Sequence, residues 1–193
     1  MTAAADLPTT TSPVTPAPGE LEFVRAFVNT LDIEAHTERL ADPASWAKWA
    51  AEHDLGAAAT AADLREARAL RETLRQALLA NHDRAPLPAE TIEALDAAAD
   101  RSRPALQFSG RGSHLVPRGS GVDALFGRVV ATVAAALADG TWQRLKVCAS
   151  DDCRWAFYDT SRSRTGQWCS MSICGNRAKQ ARYRDRAGAR EQP

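Results

Sequence analysis

Cys148-Ala149-Ser150-Asp151-Asp152-Cys153 and Trp168-Cys169-Ser170-Met171-Ser172-Ile173-Cys174-Gly175-Asn176-Arg177 hold all four cysteines of the chain. Four residues separate the members of each pair, and fifteen lie between the pairs. Four thiolates in two close pairs are the donor set of a tetrahedral structural Zn2+ site. Each pair can wrap a short loop around one side of the metal, with the segment between folding back as a hairpin. Gly175, directly after the last cysteine, suits a tight backbone because it carries no Cβ. The spacing therefore predicts one structural Zn2+ per chain, held by Cys148, Cys153, Cys169 and Cys174.

Two other readings of the cysteines compete: a pair of disulfides, or four unrelated buried thiols. Disulfides belong to oxidising compartments, and no basic segment followed by an apolar run directs export. Unrelated thiols would not be confined to the last third of the chain. A closed shell of four thiolates leaves no open coordination position for water, so such a site is structural.

Around the cysteines, Arg154 to Tyr158 reads as a strand with Trp155 and Phe157 on one face. Ser161 to Gln167 is polar and contains glycine, a hairpin turn or a loop. Ser170 is a candidate N-cap for a last helix running to about Arg186, with Cys174 near its first turn. That helix carries Arg177, Lys179, Arg182, Arg184 and Arg186, with Arg190 beyond, against only Asp185 and Glu191. At about 100° per residue, Lys179, Arg182 and Arg186 share one face, and Arg177 and Arg184 another. Basic side chains on two faces can reach both walls of a DNA groove. Arg177 and Asn176 are the types that contact guanine and adenine bidentately. The competing roles are a structural hydrogen bond for Asn176 and service to the thiolates for Arg177.

These residues resemble the CGNR zinc-finger family, after Cys174-Gly175-Asn176-Arg177. The match takes in Trp155, Phe157, Asp159, Ser161, Trp168-Cys169-Ser170-Met171 and Ala178-Lys179. The family usually carries Asn where Ser163 stands and basic residues near Gly166 and Gln167; the ligand cysteines are intact. The order of knuckle, hairpin and helix resembles a treble clef. A second resemblance lies at Phe27-Val28-Asn29-Thr30-Leu31-Asp32, which is similar to the opening of the ABATE domain. Together these resemblances imply a bacterial stress-induced transcription regulator: an N-terminal sensor or dimerisation domain and a finger for double-stranded DNA.

The rest of the chain reads as helices. Phe23, Phe27, Val28 and Leu31 predict a first helix from about Gly19 to His36. Pro43 opens a second, to about His53, with Trp46 and Trp49 facing the core. Thr60-Ala61-Ala62-Asp63 starts a long third helix to about Asn81, striped by Leu64, Leu70, Leu74 and Leu78. Arg65, Arg68, Arg71 and Arg75 flank that stripe and read first as a solvated face. Arg71 and Arg75, with Asn29 and Asp32, are also the candidate pocket for a small-molecule effector. A fourth helix runs from Leu87-Pro88 to Ser102. Pro104 to Ser109 and His114 to Pro117 form a hairpin about Gly110-Arg111-Gly112. Leu115-Val116-Pro117-Arg118-Gly119-Ser120 spells a thrombin-type cleavage sequence, read as native because the hairpin runs through it. A fifth helix spans Val122 to Ala138, with Leu125, Val129, Val133 and Leu137 as its stripe.

The expected fold is mainly α (α+β): a helical domain with one β-hairpin, then a treble-clef-like four-cysteine module ending in a basic helix. The boundaries are 1–19 for a disordered tail, 20–140 for the helical domain, 141–188 for the finger and 189–193 for a flexible end. Loss of the ion should unfold the finger and spare the helical domain, because only the finger lacks its own core. Across 193 residues, 24 basic and 24 acidic side chains cancel, but not locally. From Thr141 onward eleven Lys/Arg stand against five Asp/Glu, leaving thirteen against nineteen before it. A basic end on an acidic body suits a polyanion. No run of eighteen or more apolar residues occurs, so no membrane span and a cytoplasmic location are expected. No nucleophile–base pair, phosphate-binding glycine loop or His-Glu-x-x-His appears, so no enzyme is expected. The expected function is a zinc-containing DNA-binding regulator, as a homodimer. The alternative is a finger that docks an acidic protein partner and does not bind DNA.

Overall fold

The computed structural model describes residues 15–110 and 112–188. Residues 1–14 of the tail expected over 1–19, Arg111 in the hairpin turn, and the expected flexible end 189–193, with Arg190 and Glu191, lie outside the described residues; in the rest of the tail Ala17 is buried and its N–H donates to Glu22 at 2.7 Å. The order of elements is α1 (Leu21–Val28), β1 (Leu31–Asp32), β2 (Thr37–Glu38), α2 (Pro43–Ala51), α3 (Ala61–Ala80) and α4 (Ala89–Ser102). Then come β3 (Ala105–Ser109), β4 (Gly112–Val116), α5 (Gly121–Asp139), β5 (Leu145–Val147), β6 (Ala156–Tyr158) and α6 (Asn176–Gly188). The strands form three separate antiparallel pairs, β1–β2, β3–β4 and β5–β6. The mainly helical fold with a C-terminal cysteine module is as expected.

Local chemistry sets the helix ends. Thr60 and Asp63 form the reciprocal capping box that starts α3, and Asp42 caps α2 ahead of Pro43. The first helix is shorter than its apolar pattern predicts: it stops at Val28. Two side chains take the carbonyls that a longer helix would use. Thr30 Oγ1 donates to Phe27 O at 2.8 Å, and Arg75 Nη2 to Val28 O at 2.7 Å. The chain then turns through the β1–β2 pair.

The core is built from α1, α2, α3 and α5. Trp46 and Trp49 are fully buried, 5.7 Å apart between ring centroids, and Trp49 packs against Phe23 and Phe27. By length and composition α5 could cross a membrane. Here its Leu125, Val129 and Val133 face the core, which is the position of a central helix. Leu137, expected in the stripe of the fifth helix, is 44% exposed, and Ala136 is buried in its place.

Arg65 is exposed, as a solvated face predicts, but Arg71 and Arg75 correct that reading. Arg71 and Arg75 are each 3% exposed. Arg71 donates to Thr30 Oγ1 at 3.1 Å and Glu38 at 2.7 Å. Arg75 reaches Arg154 O at 2.8 Å as well as Val28 O. Buried charge needs such partners: Arg71 is met by the carboxylates of Glu38 and Glu72, and Arg75 by Glu72 and by the carbonyls of Val28 and Arg154.

The cysteine-bearing segment shares the helical core. Trp142, Leu145, Val147 and Ala156 belong to the same buried cluster as Phe27 and Leu78. Asn81 donates to both Trp142 O and Leu145 O, at 2.9 and 2.8 Å. Asn29 clasps Ala156, accepting from its N–H at 2.7 Å and donating to its carbonyl at 3.0 Å. An Asn29→Ala variant would leave both groups of Ala156 buried without partners. Each such loss costs about 1–3 kcal/mol. Urea unfolding should therefore show a drop of about 2–4 kcal/mol on that basis. An unchanged midpoint would contradict this joint.

Candidate metal centre and basic helix

Strand β5 ends at the residue before the first cysteine, and β6 begins three residues after the second. The hairpin is thus made by β5 and β6, and its turn is the first knuckle. The polar segment Ser161 to Gln167, expected as a hairpin turn or a loop, is a loop. Cys148 N–H donates to Trp155 O at 2.8 Å, and Cys153 and Arg154 N–H both donate to Ser150 O. Arg154 takes the left-handed conformation, φ 49°, that closes this turn. Its guanidinium also pairs with Asp151.

The second knuckle follows Trp168. Residues Met171–Gly175 form one wide helical turn, closed by Gly175 N–H donating to Ser170 O at 3.0 Å. A five-residue hydrogen-bonded step of this kind is a π-type turn, a form that often marks functional sites. It leads directly into α6. Ala149 N–H donates to Gln167 O at 2.8 Å and brings the two knuckles together. Trp155, Trp168 and Ile173 pack around the sulfurs.

The four Sγ atoms lie within 4.8 Å of one another. Cys153 and Cys169 are 3.6 Å apart, and Cys169 and Cys174 3.8 Å. A tetrahedron of Zn–S bonds of about 2.3 Å requires sulfur separations of about 3.8 Å. A disulfide requires about 2.05 Å. The cysteines are placed to bind one metal ion, and their spacing rejects both the disulfide and the unrelated-thiol readings.

Charge gives the same answer. The thiols of Cys153 and Cys169, with the backbone N–H of Cys169 and Ser150, hydrogen-bond toward Cys148 and push it down to about 2. That Cys148 thiolate pushes Cys153 up to about 12 and Cys169 higher. Burial raises Cys174, reinforced by the same charge. Four thiolates cannot coexist here without a cation at their centre. A bound Zn2+ would supply that charge and hold the two knuckles in one geometry.

Sequence reasoning missed the pair behind the knuckles. Lys146 and Asp159 are 1% and 3% exposed and form an ion pair at 2.9 Å. Nothing in Leu145-Lys146-Val147 by itself marks the lysine as buried. Its Nζ also donates to Arg164 O at 2.7 Å and Gly166 O at 3.4 Å. Asp159 accepts from Ser161 N–H at 3.0 Å and Gly166 N–H at 2.8 Å. Burial alone would raise the Asp159 carboxyl; bonds from Ser161, Lys146 and Gly166 outweigh it and hold the group at about 2. A Cβ on Gly166 would stand 2.9 Å from that carboxylate, so the close approach requires glycine. The only sequence signal was Asp159 within the finger resemblance.

The residues expected to meet DNA lie on or beside α6. Lys179, Arg182, Arg184 and Arg186 are exposed. Arg186 Nε donates weakly to Arg182 O at 3.3 Å. Asn176 Nδ2 donates to Ser172 O at 3.0 Å within the wide turn. Arg177 pairs with Glu34 at 2.8 Å, and its own charge is steadied by Glu34 first and the cysteines after.

Of the four residues of the candidate effector pocket, Arg71 and Arg75 bond the chain around Asn29, at Thr30 Oγ1 and at Val28 O. Asn29 and Asp32 line a cavity of about 260 Å³ with Arg25, Arg39, Trp49, His53 and Trp155. Arg71 and Arg75 do not line it.

Residues 144–187 match the CGNR zinc finger family, and residues 21–140 match ABATE, described as "Putative stress-induced transcription regulator". Neither is a family of enzymes. No curated protein matches the chain. With more than half its length matched by the second of these, the chain belongs to the ABATE family and carries a CGNR zinc finger as its C-terminal part.

Proposed function

We propose that the protein is a non-enzymatic, cytoplasmic DNA-binding regulator in which zinc holds α6 rigid against double-stranded DNA. The observation that carries this is α6 itself. It begins at the metal centre and exposes Lys179, Arg182, Arg184 and Arg186 on two faces. No apolar stripe on this helix competes for those faces. Its alanines 178 and 181 are only half-buried. Phosphate contacts supply affinity and register, and base-edge contacts supply sequence preference. Arg177 is the side chain placed nearest the bases, beside Asn176. Its pair with Glu34 lies in solvent and is weak enough to be exchanged for a guanine.

Each phosphate contact releases about one counterion, so affinity should fall steeply with salt. Lys179→Ala or Arg182→Ala should weaken all duplex sequences alike and flatten that slope by about one unit each. Arg177→Ala should instead relax sequence preference, by about 1–3 kcal/mol at one base pair. Fluorescence anisotropy on labelled duplexes over a salt series reads all three. Absence of duplex binding at low salt, with capture of an acidic protein partner retained, would leave the protein-docking alternative.

On this reading the helical part is the sensor or the dimerisation unit. The cavity at Asn29, Asp32 and Trp155 is where an effector would touch both parts at once. The exposed Leu106 and Phe108 of β3, 56% and 81% accessible, give a second copy an apolar face. A monomer by sedimentation at tens of micromolar protein would remove the homodimer.

A further inference from the structure

The loop over residues 160–167 is the oddest piece of surface in the finger. It is short of apolar residues, its Arg162, Ser163, Arg164 and Thr165 are exposed, and it contains no acidic side chain. A loop of that composition ordinarily needs no internal support. Here it is fastened by a fully buried ion pair. Lys146 grips it through the carbonyls of Arg164 and Gly166. Asp159 grips it through the N–H groups of Ser161 and Gly166. From outside, Arg84 donates to Ser163 O at 3.3 Å. Arg164 holds φ 56°, a left-handed conformation that a non-glycine residue adopts at some cost.

Burying two charges is expensive, and an apolar pair of similar volume is often as stable or more so. The ion pair is therefore a poor device for stability and a good one for fixing a loop. What the loop presents is two guanidiniums and two hydroxyls, with Arg84 beside them. The Ser163 and Thr165 hydroxyls bond each other at 2.8 Å and hold the turn between the arginines. Neither Arg162 nor Arg164 makes an ion pair among the described residues. The loop also runs straight into the site: Gln167 O accepts from Ala149, and Trp168 lies against Gly175 where α6 is about to begin.

We propose that this loop is a second phosphate-binding element, in which Arg162 and Arg164 grip the backbone of the duplex that α6 engages. The proposal rests on the DNA-binding reading above and adds a second contact to it. Lys146 and Asp159 act as positioning residues: they touch no phosphate and set where the two arginines stand. A guanidinium is suited to this because its planar fork can meet two phosphate oxygens at once. Bound loop and helix together fix the orientation of the finger, which a single helix cannot do.

The test uses the full chain and a labelled random-sequence duplex, with zinc content measured for every variant. Arg162→Gln/Arg164→Gln should lower affinity at least tenfold at low salt and flatten the salt slope by about two units. Lys146→Met/Asp159→Leu keeps the net charge and both arginines. It should retain zinc and the full salt slope, yet bind several-fold more weakly. If the arginine pair leaves affinity and slope unchanged while Lys179→Ala weakens binding, the loop proposal is wrong and the helix reading stands. If the wild-type protein binds no duplex, both fall. If the Lys146→Met/Asp159→Leu protein binds as tightly as wild type, the ion pair has no positioning role, and that half of the proposal is overturned.

Discussion

Cys148→Ser should abolish tight zinc binding and lower the stability of the whole protein, not of the finger alone. A structural zinc contributes about 10–16 kcal/mol of apparent binding energy in small fingers, which is also folding energy. Removing one ligand of a four-thiolate shell loses much of that. The sequence suggested that the helical part would be spared. The structure gives the reason it should not be: Leu145, Val147 and Ala156 are 0% exposed within the helical core. If the knuckles open, β5 and β6 loosen and that surface meets water. Leu or Val burial is worth about 1.5–3 kcal/mol per side chain. Metal analysis, hydrogen exchange of α1 and α3, and a melting curve would check this together. Exchange in α3 should accelerate beside Asn81, whose side chain holds Trp142 O and Leu145 O. Unchanged protection of α1 and α3 in the zinc-free protein would show that the two parts are energetically separate.

Asp159→Asn should cost about 3–5 kcal/mol, the usual penalty for stranding one member of a buried ion pair. The carboxyl is held down at about 2 and is ionised at pH 7, so the variant removes a full negative charge from beside Lys146. Lys146→Met should cost a similar amount by stranding Asp159. The two changes should be strongly non-additive, because each single variant already loses the same pair. A double-mutant cycle in urea measures the coupling. Additive effects of under about 1 kcal/mol each would mean that the pair is screened by water and is not the fastening described above.

Much of this molecule could be read before its coordinates. Ends of α2 and α3 followed from Pro43 and from Thr60 with Asp63, because capping is local chemistry. The four sulfurs followed from spacing, because only a few donor sets serve a tetrahedral metal. What stayed hidden depended on distant partners. Nothing near Arg71 or Arg75 in sequence says that they reach Thr30, Glu38, Val28 and Arg154. Lys146 gave no sign of burial because its partner lies thirteen residues on, past both cysteines of the first knuckle. The early stop of α1 was likewise set from α3, by Arg75 on Val28 O. Ser161 to Gln167 could be a hairpin turn or a loop, because polar residues with glycine serve either; the strand that pairs with β6 is β5, on the far side of the first knuckle.

The clasp between Asn29 and Ala156 joins residues 127 positions apart. Contacts of such long sequence separation form late, since loop closure must precede them. During synthesis, α1 through α5 emerge before the first cysteine, but Leu145 and Ala156 have no finished surface to join until α1 and α3 are docked. The sulfurs therefore reach their final spacing only on a body already assembled. On this geometry metal capture is expected to be the closing event of folding, so a chain lacking the residues before α3 should hold zinc less tightly than the full chain.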